Sequence, residues 1–186
     1  MQAIALVSYD QGKTWPEYLT VMNDSASGII YWEQSIVELS NHRLVSVAWA
    51  FRERDGQTLP TSYSISDDGR TFSCPSPTGF LGQTAKMIRL NDDRILCVYR
   101  RHDRPGLWAN LSEIKDNQWI NLGETSLWQG AASGMSGQLT PGEELSSLKF
   151  GFPSMILLHD GTIFLVFWCC EQCINNIRWM TIAIET

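Results

Sequence analysis

A seventeen-residue pattern occurs three times in this sequence without a gap, and it limits the possible folds more than any other feature. Its copies are EQSIVELSNHRLVSVAW (33–49), TAKMIRLNDDRILCVYR (84–100) and FPSMILLHDGTIFLVFW (152–168). In each copy a polar turn of a few residues separates two runs rich in apolar residues, which is the pattern of a β-hairpin. A period of about fifty residues is typical of a protein built from repeated units.

A turn motif forms the second recurring element. It first appears as Ser8-x-Asp10-x-Gly12-x-Thr14-Trp15, between two runs that read as strands. In such a turn the Ser and Asp side chains bond to backbone N–H groups, and Gly adopts a positive φ. The motif therefore predicts a tight, self-bonded turn with a structural role.

Two weaker copies of this turn motif follow the first two hairpins. Segment 65–72, ISDDGRTF, keeps Asp67, Gly69, Thr71 and an aromatic residue, with Ile65 in place of the first Ser. Segment 112–119, SEIKDNQW, keeps only the first and last members. Each copy lies between a third and a fourth predicted strand. One unit therefore consists of the two hairpin strands and these two, four antiparallel strands in all. Repetition of such units at this period predicts the blades of a β-propeller.

The hairpins and turn motifs together resemble the BNR (Asp-box) repeat sialidase, or neuraminidase, superfamily. The resemblance implies an all-β fold, a β-propeller of sialidase type with six four-stranded blades, of which this chain holds about three and a half. The predicted parts are a partial blade (1–22), two blades (29–76 and 83–127), a loop (128–149) and a last blade (150–186). We therefore expect a C-terminal portion of a longer protein with two open edges. Two interpretations of these edges remain open: a second chain covers them, or the chain is a truncated product.

Residues 128–149 break the repeat and are rich in Gly and Ser. This composition predicts an exposed loop. Two interpretations remain open, an insertion without a role and a lid over a site.

In a propeller blade, the start of the first strand and the end of the second strand lie on the same face of the disc. The repeat alignment therefore predicts one central mouth, lined by two sets of equivalent residues. At the first-strand start these are Glu33, Thr84 and Phe152, and at the second-strand end they are Trp49, Arg100 and Trp168.

Arginines are concentrated in two loops predicted to lie on this face: Arg52, Arg54, Arg100, Arg101 and Arg104. The planar guanidinium group suits two-point binding of a carboxylate, so the cluster predicts a site for an anionic sugar. The alternative is that these arginines pair with the neighbouring Glu53, Asp55 and Asp103 and form a solvated rim. Trp49 and Trp168 predict either surfaces for stacking a pyranose or packing between blades.

The sialidase resemblance assigns further roles. It implies three arginines that hold the sugar carboxylate, a Tyr nucleophile, a Glu that polarises the Tyr, and an Asp acid/base. Glu33 lies in a segment similar to the family's E-P-x-V-V-E-L, and Arg100 in one similar to its Y-R. Trp49 stands where another arginine of the triad is expected, and Phe152 stands where the Tyr is expected. Phe has no hydroxyl and is no nucleophile, and the acid/base Asp and the first Arg would belong to blades outside this chain.

We therefore predict a sialidase-like, carbohydrate-active protein of glycoside hydrolase type that binds an acidic sugar and is incomplete as a catalyst. Glu33 is the predicted catalytic residue, and the predicted substrate-binding residues are Arg100, Arg52, Arg101, Trp49, Thr84, Phe152 and Trp168. The alternatives are a non-catalytic glycan-binding or scaffold propeller and a purely structural half-propeller that assembles with another chain.

Composition excludes several other classes of protein. The net charge of −6 argues against a nucleic-acid partner, and no apolar run approaches the roughly twenty residues of a membrane span. The first residues lack the features of a signal peptide, so we expect the chain as written to be cytoplasmic, with the compartment of a longer parent protein left open. The odd number of cysteines, five, favours reduced thiols. Although Cys169, Cys170 and Cys173 are close in sequence, we predict neither a metal site nor a cofactor.

Overall fold

The structure is a computed structural model that describes residues 1–101, 103–104, 106–130, 143 and 148–184. Within these ranges the chain forms fourteen β-strands and a 3-10 helix at Ser25–Ser27. The strands are β1 (Ala3–Val7), β2 (Glu17–Met22), β3 (Ile29–Glu38), β4 (Leu44–Arg52), β5 (Gln57–Thr58), β6 (Ser62–Ser66), β7 (Ser76–Pro77), β8 (Gln83–Arg89), β9 (Ile95–Arg100), β10 (Leu107–Lys115), β11 (Gln118–Trp128), β12 (Phe150–Leu157), β13 (Ile163–Glu171) and β14 (Ile174–Ile182). In the same ranges, no helix has the length and apolar character needed to cross a membrane.

The strands form four antiparallel sheets in chain order. The first sheet is β1–β2, the second is β3-β4-β6-β7 with β5 paired to β4, the third is β8-β9-β10-β11, and the last is β12-β13-β14. This arrangement confirms the predicted all-β fold with four-stranded antiparallel sheets. The two-residue strand β5, which extends the loop after β4, was not expected from the sequence.

The predicted hairpin turns have the same backbone structure in all three repeats. The N–H groups of Leu39, Leu90 and Leu158 each donate to the carbonyl oxygen four residues later, at 2.8–2.9 Å. The residue before that carbonyl has a positive φ in each turn, and these residues are His42, Asp93 and Gly161. In each turn a side-chain oxygen also accepts a hydrogen bond from the backbone N–H two residues later. These oxygens belong to Asn41, Asp92 and Asp160. The repeat in sequence is therefore a repeat in hydrogen bonding.

Each first strand also carries a β-bulge at the equivalent position. The bulged residues Glu33, Thr84 and Phe152 have φ values of 49°, 53° and 49°, and the pairing register shifts at each of them. A positive φ is uncommon for residues other than Gly, and a bulge changes the direction in which a side chain points. The three positions that the sequence aligns at the mouth therefore share an unusual backbone.

The core lies between successive sheets. The first and second sheets bury Val21, Met22 and Tyr31. The second and third bury Val45, Tyr63, Ile95, Tyr99 and Trp119, and the third and last bury Val98, Leu107, Phe150, Leu165 and Phe167. Sheets stacked through their apolar faces in this way make up a propeller-like array.

Contacts between turns of neighbouring sheets place the hairpin turns and the turns that precede β2, β7 and β11 on one side of the array. Arg43 Nε lies 2.6 Å from Asp67 Oδ1, and Arg43 Nη2 donates to Asn117 Oδ1 at 2.6 Å. Arg70 Nη1 lies 3.3 Å from Glu17 Oε1 in the first sheet. We call this side the turn face and the opposite side the mouth face.

The turn at residues 8–14 has the hydrogen bonds that its motif predicts. The Thr14 N–H donates to Asp10 Oδ1 at 2.9 Å, and the Gly12 N–H donates to Ser8 Oγ at 2.7 Å. These bonds fix the turn between β1 and β2.

The second turn corrects the sequence alignment by one residue. Asp68, not Asp67, accepts the backbone N–H groups of Arg70 and Thr71 at 2.8 and 2.7 Å. Ser66 donates to Asp68 at 3.0 Å, so the hydroxyl that seemed lost at Ile65 is supplied one position later.

The third predicted copy of the turn motif is wrong. Strands β10 and β11 are joined by Asp116 and Asn117, with φ values of 50° and 63°. Two central residues with positive φ define a type I′ hairpin turn. Ser112 lies within β10 and Trp119 within β11, so neither belongs to the turn.

We expect Asp68→Ala to lower the thermal unfolding temperature more than Asp67→Ala, because only Asp68 holds backbone N–H groups of its turn. The hydrogen bonds from Thr71 and Arg70 lower the pKa of Asp68 from 3.8 to about 2. The stabilisation is therefore present above pH 4 and is lost as the pH falls towards 2. Thermal melts of both variants and the unmodified chain between pH 2 and 7 test this, and equal losses in the two variants would contradict the assignment.

Candidate active site

A group of polar and aromatic residues from five strands of three neighbouring sheets meets on the mouth face. Its members, which we call the mouth cluster, are Glu33 on β3, Lys86 on β8, Arg100 on β9, Phe152 on β12 and Trp168 on β13. A hydrogen bond from the Met87 N–H to Ser35 Oγ, 3.1 Å long, ties β8 to β3 beside the cluster. The Lys86 Nζ lies 5.7 Å from the centre of the Phe152 ring.

Arg100 is the most enclosed charged group of the cluster, with 1% of its surface exposed. Its Nε donates to Gln83 Oε1 at 3.0 Å, and its Nη1 donates to the Phe150 carbonyl at 3.3 Å. The Nη2 atom is buried and has no hydrogen-bond partner among the described residues. Burial lowers the pKa of Arg100 to about 10, against the opposing effect of Glu33, so the guanidinium remains charged at neutral pH.

A glycine allows this placement of Arg100. A Cβ at position 151 would stand 2.6 Å from Arg100 Nη1 and 3.7 Å from Trp168 Nε1. Contacts under 3 Å are closer than packed atoms tolerate. Gly151 therefore lets the guanidinium lie against the backbone of β12, close to the indole of Trp168.

Glu33 is the carboxylate of the cluster. It is half-buried, and its Oε2 atom is buried without a hydrogen-bond partner in the described part of the chain. Burial raises the pKa of Glu33, while the positive charges of Arg100 and Lys86 oppose this rise. Leaving a buried polar atom without a partner costs about 1–3 kcal/mol. An unpaired acceptor near an unpaired donor is therefore the arrangement that a polar ligand would complete.

The aromatic residues predicted at the mouth divide into two groups. Trp49 is 1% exposed and packs edge-on against Trp32, with 5.0 Å between ring centres, so its role is packing and the stacking interpretation is corrected. Phe152 is 54% exposed and Trp168 is half-buried, which leaves both accessible at the mouth. Their rings offer apolar surface to a ligand.

Three other predicted substrate-binding residues are engaged within the chain. Thr84 is buried, and its hydroxyl donates to the Gln83 carbonyl at 2.7 Å. Arg52 Nε contacts both carboxylate oxygens of Asp55, at 2.9 and 3.0 Å. Arg101 pairs with two carboxylates, Asp103 at 2.5 Å and Glu124 at 2.6 Å. Both arginines are therefore paired with nearby carboxylates, as in the solvated-rim alternative, rather than free to bind a sugar.

Two further connections follow strands that end on the mouth face. Strands β13 and β14 are joined by a two-residue turn at Gln172–Cys173, where both residues have a positive φ. Most of the predicted loop 128–149, and with it the predicted lid, lies outside the described residues.

Lys86 was missed by sequence reasoning, although the repeat alignment contained a signal. It aligns with Ser35 and Ser154, two residues after each bulge, and is the one charged residue of the three. Gln83, which orients Arg100, directly precedes the bulged Thr84.

Comparisons with solved structures show which fold this is. The chain is similar to a protein of unknown function from Dyadobacter fermentans, with a TM-score of 0.69 and 21% identity over 95% of this chain and 44% of that one. It is also similar to a family 117 glycoside hydrolase from Zobellia galactanivorans, with a TM-score of 0.51 and 14% identity over 86% of this chain and 54% of that one. A third similar structure is a variant of B. subtilis levansucrase, with a TM-score of 0.50 and 14% identity over 79% of this chain and 43% of that one.

These similarities place the chain in the propeller fold that glycoside hydrolases use. The chain spans about half the length of each of the three solved proteins. No protein-family profile matches the sequence, and no curated protein matches it.

Proposed function

We propose that this chain is a carbohydrate-active protein of glycoside hydrolase type whose mouth cluster binds a sugar. The observation that carries the proposal is a pair of buried atoms without a hydrogen-bond partner among the described residues, Glu33 Oε2 and Arg100 Nη2. A sugar offers hydroxyl groups that donate to the first and oxygens that accept from the second. The propeller fold shared with solved glycoside hydrolases supports this reading.

The charges of the cluster favour an acidic sugar. Arg100 and Lys86 carry two positive charges against the single carboxylate of Glu33, and the Nη2 donor of Arg100, unpaired in the described part of the chain, is available to a sugar carboxylate. Charge-assisted hydrogen bonds of this kind are about twice as strong as neutral ones. The sialidase resemblance of the sequence points to the same class of ligand.

Glu33 is the residue best suited to move a proton. Its raised pKa favours the protonated form, which a general acid needs in order to protonate a leaving oxygen. We therefore expect any turnover to fall as the pH rises through the pKa of Glu33.

Phe152 argues against the covalent chemistry of a Tyr nucleophile. A non-catalytic glycan-binding or scaffold propeller is the alternative, and Phe152 is the residue that favours it.

We expect Glu33→Gln to reduce turnover of a fluorogenic glycoside by at least about 100-fold, the usual size of a general-acid contribution. Affinity for the free sugar should change much less, since the amide keeps an oxygen and a similar shape. A panel of sialoside, glucuronide and neutral glycosides, assayed on the unmodified chain and the variant, gives the measurement.

Asp67→Asn serves as a control carboxylate on the turn face, and its turnover should equal that of the unmodified chain. Binding without turnover on the whole panel would favour the non-catalytic alternative. Turnover that survives Glu33→Gln unchanged would remove Glu33 from the mechanism.

A further inference from the structure

A polar cleft lies between the second and third sheets, and none of the mouth-cluster residues lines it. Its volume is about 320 Å³, within the range of small-molecule sites. One wall is the connection between β7 and β8, and the other belongs to β10 and β11. We call it the rim cleft, and its lining includes residues 79–81, Arg101, Arg104, Asn110, Asn121 and Glu124.

Consecutive residues separate the rim cleft from the mouth cluster. Arg100, the last residue of β9, donates to the Phe150 carbonyl in the last sheet at 3.3 Å. Arg101 instead donates to Glu124 on β11 at 2.6 Å, and the Tyr99 hydroxyl donates to the same carboxylate. Side chains alternate between the two faces along an extended strand. Arg100 and Arg101 therefore reach two different sites.

Bonds behind the polar groups of the rim cleft hold these groups in place. Asn121 Nδ2 donates to the Thr78 carbonyl at 2.7 Å, and Asn121 Oδ1 accepts from Trp119 Nε1 at 3.0 Å. The two bonds that Glu124 accepts fix its carboxylate in the same way. Groups that are ordered before a ligand arrives lose little conformational freedom on binding. The cleft is therefore built for binding before any ligand is present.

Two groups of the rim cleft have donors that the described part of the chain does not use. Asn110 is 3% exposed, and its Oδ1 accepts from Ser112 Oγ. Its Nδ2 has no hydrogen-bond partner among the described residues. The Arg104 guanidinium lies 5.9 Å from the centre of the Trp108 ring and forms no ion pair within the described ranges. A buried amide without a partner is costly, and a ligand oxygen that accepts from Asn110 removes this cost.

The charges of the rim cleft favour a neutral ligand. The two guanidinium groups of Arg101 and Arg104 are balanced by two carboxylates, Glu124 and Asp103, which both pair with Arg101. The lining offers donors from amide and guanidinium groups and an acceptor from a carboxylate. A sugar hydroxyl both donates and accepts, so a neutral sugar ring uses both kinds of group.

We propose that the rim cleft binds a neutral sugar residue and is a second carbohydrate site beside the mouth cluster. Asn110 Nδ2 and the Arg104 guanidinium donate to sugar oxygens, and Glu124 accepts from a sugar hydroxyl. The choice of a sugar among neutral hydroxylated ligands rests on the proposed function. The site itself rests on the cleft, its charge balance and the unpaired amide of Asn110.

Tryptophan indole N–H signals in ¹H–¹⁵N spectra of the full chain report on the two sites separately. Trp119 Nε1 donates to Asn121, and Trp108 Nε1 donates to the Arg104 carbonyl at 3.1 Å, whereas Trp168 belongs to the mouth cluster. The probes are the methyl glycosides of glucose, galactose, mannose and N-acetylglucosamine. We expect at least one probe to shift the Trp119 and Trp108 signals saturably, at concentrations that leave the Trp168 signal in place. Single Trp→Phe variants assign the signals.

Asn110→Asp and Arg104→Gln should each lower the affinity for that probe by about three- to tenfold, the effect of losing one hydrogen bond. Asp at position 110 still accepts from Ser112, and Arg104 is exposed, so both variants should fold, which circular dichroism checks. Arg70→Met on the turn face is the matched control and should leave the affinity unchanged.

Three results would overturn the proposal of a rim site. They are Trp119 and Trp108 signals that no probe moves, shifts confined to Trp168, and an affinity that neither cleft variant lowers. A titration with sialic acid in the same spectra separates this proposal from the proposed function. A shift of Trp168 with sialic acid, without any rim shift from the neutral probes, would leave the mouth site standing and remove the rim site. The opposite result would remove the mouth site alone.

Discussion

Replacing Arg100 with Met is expected to weaken binding of an acidic sugar by about 10- to 150-fold. The substitution removes one charge-assisted hydrogen bond, worth about 1.5–3 kcal/mol. Met occupies a similar volume, so the packing of the side chain against Gly151 is largely kept, whereas the hydrogen bonds to Gln83 and to the Phe150 carbonyl are lost. The affinity of both proteins for sialic acid and for a uronic acid, measured by calorimetric titration, gives the comparison.

Arg70→Met is the matched control for this prediction. Arg70 lies on the turn face, where it contacts Glu17 and Tyr9, and its loss should leave sugar affinity unchanged. Thermal melts of both variants separate a loss of binding from a loss of folding. Equal weakening in the two variants would contradict the assignment of binding to the mouth face.

The largest expected loss of stability is that of Phe167→Ala. Phe167 lies on β13, is 2% exposed, and packs against Trp128 with 5.2 Å between ring centres. Removing a buried Phe side chain costs about 3–5 kcal/mol, from lost burial and from the cavity left behind. Urea unfolding followed by tryptophan fluorescence measures the change in the free energy of unfolding.

Leu122→Ala provides the reference for this second prediction. Leu122 is also an apolar strand residue but is exposed, and such positions change stability by about 0.5 kcal/mol or less. A loss below 1 kcal/mol for Phe167→Ala would mean that the third and last sheets are not packed as described.

The sheets and hairpins were predictable because their signals are local and repeated. Each turn needs only a few residues to form, and the three copies reinforce one another. The turn around Asp68 was misaligned by one residue because two adjacent Asp residues offer the same chemistry, and only the hydrogen bonds distinguish them. The turn at Gln172–Cys173 was missed because neither residue is typical of positive φ.

The candidate site was predictable in position more than in detail. The repeat alignment places Glu33, Arg100, Phe152 and Trp168 at one mouth, and the structure brings them together. The alignment gave no sign that Thr84, which is equivalent to Glu33 and Phe152, is buried. The sequence does not show whether an arginine is free or paired, because pairing depends on side-chain geometry. In the structure Arg101 is paired with Asp103 and Glu124.

The cluster around Trp49 includes a contact that is distant in sequence. Leu148 packs against its cluster from the segment before β12, and no local pattern predicts that contact. The three bulges could not be predicted from the sequence either. Their positive φ values are typical of Gly, but the residues at these positions are Glu33, Thr84 and Phe152.

The most direct test of the account is a calorimetric titration of the unmodified chain with sialic acid, a uronic acid and a neutral sugar as reference. We predict saturable binding of the acidic sugars, tighter than that of the neutral sugar and lost in Arg100→Met. Absence of binding to all three sugars, or binding that Arg100→Met leaves unchanged, would contradict the claim that the mouth cluster is a carbohydrate site.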